Sequence, residues 1–233
     1  MQKEQLSVTA PSAALGTRLV LFDLDGTLVD TAEDLAAALN RCRTRRGLAP
    51  TPPGELRPWT SHGARGLIQR AFGLAPQDAG YNELRAEFLD YYEQALCVHS
   101  KLYEGVEQTL AAIEAAGCRW GVVTNKPARF TRPLLRALQL QGRAACVVSG
   151  DTAARAKPDP APILHALAEC GCAASAAVYV GDDLRDIQAG RAAGVATVVA
   201  AYGYTASIED VRTWNADLVI DRPQDLLAWL LAR

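Results

Sequence analysis

Leu19-Val20-Leu21-Phe22-Asp23-Leu24-Asp25-Gly26-Thr27 is an apolar run that stops abruptly at two carboxylates, a glycine and a hydroxyl. Four apolar residues in succession, without polar alternation, suit a strand buried on both faces of a parallel sheet. Residues placed directly after such a strand emerge at its carboxyl end, where ligand crevices of open α/β sheets lie. Gly26 permits a tight turn there. Asp23 and Asp25, so close together, repel each other unless a cation or a shared proton separates them. A hard divalent ion such as Mg²⁺ takes oxygen ligands and keeps waters that an incoming phosphate can replace. Read alone, the same two acids serve equally well as turn or helix-capping groups.

Working outward, similar apolar runs recur at Gly121–Val123, Cys146–Val148, Val178–Val180, Ala196–Val199 and Leu218–Ile220. Helical patterns separate them near 105–116, 129–140, 160–170, 184–193 and 223–232. Such alternation predicts a Rossmann-like α/β fold, with helices on both sides of a parallel sheet. One interval breaks the rhythm. From Asp30 to about Val98 no strand pattern is evident, only helical ones at Glu33–Arg46, Ala64–Phe72 and Asn82–Leu96. A simple crossover needs only a dozen or so residues and a helix. The interval therefore reads as an inserted helical cap (31–97) on a core built from 18–30 and 98–233, with 1–17 as a loose arm. An insert leaving from the carboxyl end of the first strand would lie over the crevice as a lid.

Further along, Gly181-Asp182-Asp183-Leu184-Arg185-Asp186 closes the run at Val178–Val180. Asp182 and Asp186 are one helical turn apart, so both can face the same crevice. Acids at a helix start also complement its dipole, which is the plainer reading of any one of them. Thr124-Asn125 ends the run at Gly121–Val123 and offers a hydroxyl and a backbone N–H. Lys157, just ahead of a proline-marked helix start, offers a positive charge.

Bulk composition narrows the classes. The 24 basic and 26 acidic residues give a net charge of −2, so no basic footprint points to nucleic acid. No apolar run reaches the roughly 18 residues that a membrane helix needs. The first eighteen residues lack the basic start and long apolar stretch of a secretion signal. The six cysteines are scattered without framework spacing, which suits incidental thiols in a reducing cytoplasm. His62, His99 and His165 are not spaced as metal ligands. A cytoplasmic protein, monomeric or homodimeric, is expected.

Taken in order, Asp23-Leu-Asp25-Gly-Thr27, Val123-Thr124-Asn125, Lys157-Pro-Asp and Gly181-Asp182-Asp183 with Asp186 resemble the four motifs of the haloacid dehalogenase superfamily. The helical interval resembles that family's cap inserted after the first motif. The resemblance implies a Mg²⁺-dependent phosphatase acting on a small phosphorylated metabolite. It implies Asp23 as nucleophile and Asp25 as general acid and base, with Thr124, Asn125 and Lys157 around the phosphate. It implies a metal held by Asp23, Asp25 through its backbone carbonyl, and Asp182. Asp186 would steady the metal's waters, and Asp183 occupies a position that varies in the family pattern. Dehalogenases of the family lack the second acid, so Asp25 argues against carbon–halogen chemistry. Sugar-phosphate mutases usually carry a Val-like residue where this chain has Thr27, which favours a phosphatase; Thr27 also reads as a capping residue. A mutase, or an inactive binding protein of the same fold, are the alternatives.

Segments such as His99–Tyr103, Trp120–Pro127, Val180–Ile187 and Tyr202–Tyr204 resemble phosphatases of N-acetylmuramate 6-phosphate more than the broader phosphoglycolate phosphatase branch. In the insert, Ser61-His62-Gly63-Ala64-Arg65 combines a turn, an imidazole and a guanidinium at a helix start. His62, Gly63 and Arg65 are therefore expected to read the substrate, with Lys126 and Arg129 as similar candidates. A surface arginine and a capping serine account for the same residues.

Overall fold

The structure is a computed structural model and describes residues 17–205 and 210–232. The expected N-terminal arm lies outside these residues except for Thr17, which is buried and accepts a hydrogen bond from Cys118 Sγ through its carbonyl. In chain order the strands are β1 (Leu19–Phe22), β2 (Val29–Asp30), β3 (Lys101–Leu102), β4 (Arg119–Val123), β5 (Val147–Val148), β6 (Ala177–Gly181), β7 (Ala196–Ala200) and β8 (Leu218–Ile220). The helices are α1 (Ala32–Arg45), α2 (Pro53–Leu56), α3 (Gly63–Phe72), α4 (Tyr81–Gln94), α5 (Val106–Ala115), α6 (Ala128–Ala137), α7 (Ala161–Cys170), α8 (Leu184–Ala192) and α9 (Asp225–Leu231). A 3-10 turn at Arg57–His62 joins α2 to α3.

Six strands form one parallel sheet in the order β5-β4-β1-β6-β7-β8. This is the predicted α/β architecture. β1 is the pivot, because the chain builds outward on one side through β4 and β5 and then crosses to β6 on the other. That reversal opens a crevice beyond the carboxyl ends of β1, β4 and β6. Phe22 pairs with both Val122 and Val180, so the three strands end at a common level.

The continuous apolar runs are explained by the two faces they cover. Val20 and Phe22 point to one side and pack with Trp120, Val122, Leu110 and Leu226, beneath α5 and α9. Leu19 and Leu21 point to the other and pack with Tyr179, Ile163 and Leu167, beneath α7. Every residue of β1 is at most 3% exposed, so no position on it is left for a polar side chain.

Between β2 and β3 the chain is helical, and these helices build a second core, which Phe130 of α6 also joins. Leu35, Leu39 and Cys42 recur at helical spacing on α1 and meet Leu67 of α3 and Phe88 and Tyr92 of α4. β2 and β3 were not legible in the sequence. They form a two-residue antiparallel ribbon, with Val29 opposite Leu102 and Asp30 opposite Lys101, through which the chain leaves the sheet and returns. Strands this short carry no periodicity to detect.

A buried acid fixes the return. Asp34, in the first turn of α1, is 2% exposed and has no cationic partner among the described residues. Its carboxylate accepts the backbone N–H of His99 (2.9 Å) and Ser100 (2.8 Å) and the Ser100 hydroxyl (2.6 Å). Asp34→Ala strips the partners from these donors and is expected to cost about 2–4 kcal/mol in urea unfolding. A loss below about 1 kcal/mol would mean that water replaces the carboxylate and the contact does not hold the segment.

Candidate active site

At the end of β1 the chain turns through Leu24–Val29. Asp23 N donates to Val180 O (2.9 Å), which fixes the first carboxylate against β6. Gly26 has φ +86°, and a Cβ there would lie 2.3 Å from Asp182 Oδ2. Gly203 leaves room for Asp182 in the same way, since its Cβ would fall 2.2 Å from the Asp182 Cβ. These two glycines clear the space in which the Asp182 side chain sits.

Asp182 follows β6 directly and is 1% exposed. It accepts hydrogen bonds from Tyr204 N (2.9 Å), Ser61 Oγ (2.9 Å) and Thr27 Oγ1 (3.3 Å), and none of these donors is charged. Carboxylate oxygens of Asp23, Asp182 and Asp186 come within 4.8 Å of one another. Burial, then the Asp23 and Asp186 charges, push the Asp182 carboxyl well above its ordinary range. A buried acid that lacks a cationic side chain and faces two more acids is short of positive charge. The donor set is all oxygen, as a hard divalent cation requires, so the residues fit the Mg²⁺ that the resemblance implies.

The one side-chain cation within this group is Lys157, 4% exposed. Its Nζ donates to Asp186 Oδ1 (2.7 Å), Tyr179 OH (2.7 Å) and Val123 O (3.1 Å). It also stands 3.0 Å from Asp23 Oδ1, at an angle that makes an ion contact and not a hydrogen bond. Burial favours the neutral amine, yet Asp186 and Asp23 outweigh it and hold the lysine pKa above its usual value. Asn125 locks the backbone of Lys157 from both sides, accepting its N–H at Oδ1 (3.0 Å) and donating to its carbonyl from Nδ2 (3.0 Å). Asn125 N–H has no acceptor among the described residues. Thr124 Oγ1 accepts Lys126 N (3.1 Å), which leaves its own proton free to donate.

The two remaining acids of the last motif divide their work. Asp183 caps α8 by accepting Arg185 N (2.9 Å) and also pairs with the Arg185 guanidinium (2.8 Å). Burial raises its carboxyl, but Arg185 more than offsets this and leaves it below the ordinary value. Asp186 completes the capping box through Oδ2, which takes Asp183 N (3.1 Å), and presents Oδ1 to Lys157. Asp25 is held elsewhere: Thr31 Oγ1 donates to it (2.5 Å) and Lys126 Nζ pairs with it (3.0 Å). Lys126 is thus engaged with Asp25, and its Nζ lies 4.7 Å over the Tyr92 ring.

A single cavity of about 290 Å³ gathers the expected residues. Asp23, Asp25, Thr124, Asn125 and Lys157 line its core side, together with Asp183 and Asp186. His62, Gly63 and Arg65 line it from the insert, and Lys126 lies between. Asp182 sits behind this wall. Arg129 is not among the lining residues; it stacks over Phe130 and stands 3.8 Å from Glu93.

Several functional contacts escaped the sequence reading. Tyr179 looked like one more strand hydrophobe, yet its hydroxyl donates to Val123 O (2.7 Å) and receives Lys157. Ser61 reaches Asp182, and Arg185 donates to the Ser61 carbonyl (2.6 Å), so the insert touches the acidic group directly. Arg85 of α4 also lines the cavity. A signal for Arg85 existed, since it falls at helical spacing between Tyr81 and Leu89 on an otherwise apolar face.

Comparison with known proteins places the chain in a family. Residues 20–200 match the family model for haloacid dehalogenase-like hydrolases. An N-acetylmuramic acid 6-phosphate phosphatase of Pseudomonas aeruginosa is 43% identical over 210 residues, covering 90% of this chain and 93% of that protein. A phosphoglycolate phosphatase of Xanthomonas campestris is 45% identical over 210 residues, covering 90% and 94%. A crystal structure of a predicted phosphoglycolate phosphatase from Haemophilus somnus superposes with a TM-score of 0.81 at 30% identity, covering 92% of this chain and 98% of that one. The chain belongs to the haloacid dehalogenase-like hydrolase family. Within that family it is a phosphoric monoester hydrolase, as its named relatives are.

Tyr179→Phe removes the hydroxyl that joins Lys157 to Val123 O. It is expected to cost about 1–2 kcal/mol in unfolding and to lower kcat roughly tenfold with little change in KM. If neither quantity moves, the hydroxyl does not position Lys157.

Proposed function

We propose that the chain is a Mg²⁺-dependent phosphomonoesterase that works through an aspartyl-phosphate on Asp23. The observation that carries this reading is the meeting of Asp23, Asp186 and Lys157 at one cavity wall, with Asp182 close behind them. Asp23, Asp182 and the Asp25 carbonyl would hold the ion. When bound, it supplies positive charge that offsets the carboxylates and the phosphate.

An Asp23 carboxylate oxygen attacks phosphorus in line, forming the O–P bond as the bond to the ester oxygen breaks. Asp25 gives the departing alkoxide a proton, and then takes one from the water that attacks the phosphorus. That second attack cleaves the acyl phosphate and returns Asp23 as a carboxylate with inorganic phosphate free. Lys157 balances the charge on Asp23 and on the transferring oxygens, while the Thr124 hydroxyl and Asn125 N–H donate to them. Asn125 also fixes Lys157, and Lys126 with Thr31 holds Asp25 in place. Asp183 and Arg185 keep the start of α8, and with it Asp186, in position. The helical insert acts as a cap that supplies specificity through His62, Gly63 and Arg65.

The favoured substrate is N-acetylmuramate 6-phosphate, with 2-phosphoglycolate as the second reading. Named relatives of both kinds are about equally similar, so identity alone does not choose between them. Support for the larger ester comes from the cavity. Its insert side is walled by Tyr81, Phe88, Leu89 and Tyr92, and its volume of about 290 Å³ is near that of small-molecule pockets and generous for a two-carbon acid.

Phosphate release measured with both esters, with Mg²⁺ and with EDTA, tests this. Release is expected only with the metal, with kcat/KM at least tenfold higher for the muramate ester. Asp23→Asn is expected to abolish release while leaving the circular dichroism spectrum unchanged. Turnover retained by that variant would require another nucleophile. Phosphate recovered on a second hydroxyl instead of in solution would identify a mutase.

A further inference from the structure

The cations that face the cavity fall into two groups. Lys157, Lys126 and Arg185 each sit against a carboxylate of the site, at 2.7, 3.0 and 2.8 Å. Arg65 and Arg85 do not: both line the cavity, and neither has an ion-pair or hydrogen-bond partner among the described residues. They come from different helices of the insert, Arg65 from the first turn of α3 and Arg85 from the second turn of α4.

Arg85 is exposed, at the edge of an otherwise apolar stretch of the cavity wall. Tyr81, Arg85, Phe88, Leu89 and Tyr92 all line the cavity and succeed one another at helical spacing, so they share one face of α4. The other four are apolar or aromatic and at most 9% exposed. Arg85 is the one charge on that face. Both arginines are exposed residues at the edge of the cavity. A guanidinium so placed without a carboxylate partner is suited to an anion brought by the ligand, and two of them suit a planar one.

A second observation points to a ligand at the same place. Thr60, in the turn that leads into α3, is 3% exposed and lines the cavity, and its hydroxyl has no hydrogen-bond partner. A buried hydroxyl left unsatisfied is costly, and a bound polar group would relieve it.

We infer that Arg65 and Arg85 together form a binding site for a carboxylate of the substrate, separate from the phosphate site, with Thr60 donating to the polar body between them. The substrate class is then a phosphorylated sugar acid, whose carboxylate lies away from the ester across the ring. This rests on the phosphatase reading above and deepens it. The short span of a two-carbon phospho acid places its carboxylate beside the ester, among the core residues, whereas both arginines stand on insert helices.

The test compares N-acetylmuramate 6-phosphate with N-acetylglucosamine 6-phosphate, which has the same ring and phosphate but no lactyl acid. Wild-type protein is expected to favour the acid substrate by tenfold or more in kcat/KM. Arg85→Met and Arg65→Met should each lower kcat/KM for the acid substrate by roughly tenfold and affect the neutral sugar far less. Arg85→Lys should recover part of the loss, since it keeps the charge but not the fork. Calorimetric binding of N-acetylmuramate 6-phosphate to Asp23→Asn, with and without Arg85→Met, reads the same contact without turnover. Equal losses on both sugars, or none on either, would overturn the carboxylate site while leaving the phosphatase reading intact. Release of phosphate from no ester at all, p-nitrophenyl phosphate included, would sink the phosphatase reading. Calorimetry would then decide the carboxylate site alone, and undiminished binding by the Arg85→Met form would end it.

Discussion

A lysine ammonium buried to 4% exposure governs the layout of this molecule. Such a group persists only when its surroundings hold enough negative charge and enough acceptors to replace water. Lys157 finds them on or just after three strands and at the start of one helix. Asp23 closes β1, Val123 O belongs to β4, Tyr179 stands on β6, and Asp186 lies in the first turn of α8. The common level at which β1, β4 and β6 end is what brings these groups within reach of one nitrogen. Remove the charge and three carboxylates face one another with nothing between them. Move a strand by one residue and its inward and outward side chains exchange faces.

The same group resolves a choice that the sequence left open. Acids after a strand read either as chemistry or as helix caps, and here one residue does both. Asp186 gives one oxygen to the N–H of Asp183 and the other to Lys157. The cap fixes its rotamer, and a fixed rotamer is what the ion pair needs. Asp183 leans further toward the cap, since both of its oxygens serve Arg185. An acid's ordinary attraction to a helix dipole and its use in a site are therefore not rivals at this position.

How much of the chain could be read depended on the range of the interactions. The six strands of the parallel sheet and the helices other than α2 were legible because hydrophobic periodicity is local, and the acids because they come directly after strands. Contacts between distant segments were not. Tyr204 OH accepts from Thr31 N (2.7 Å) across 173 residues, and Ser61 meets Asp182 across 121. Nothing in either local sequence announces its partner. Tyr179 hid for another reason: its ring satisfies the strand pattern completely, and only the hydroxyl at its tip departs from it. Asp34 resembled an ordinary acid in the first turn of a helix, and its value as a backbone acceptor appears only once the returning chain lies beside it.

The insert is tied to the core at the points where chemistry is placed. Ser61 donates to Asp182 and its carbonyl receives Arg185, while Tyr92 lies against both Lys126 and Phe130. At the base, Arg57 pairs with Asp30 (2.8 Å), the residue that opens the excursion from the sheet. Tyr92 shares α4 with Arg85, and Ser61 lies in the 3-10 turn that leads directly into α3, which carries Arg65. A ligand that draws these helices toward its far end therefore acts also on the hydrogen bonds of Asp182 and on the surroundings of Lys126. Binding energy gained away from the ester is in this way available to align the groups around phosphorus, as differential binding requires. A truncated ester that fills only the core side would engage the nucleophile without this leverage, so recognition and turnover are expected to fall together when the far end is missing.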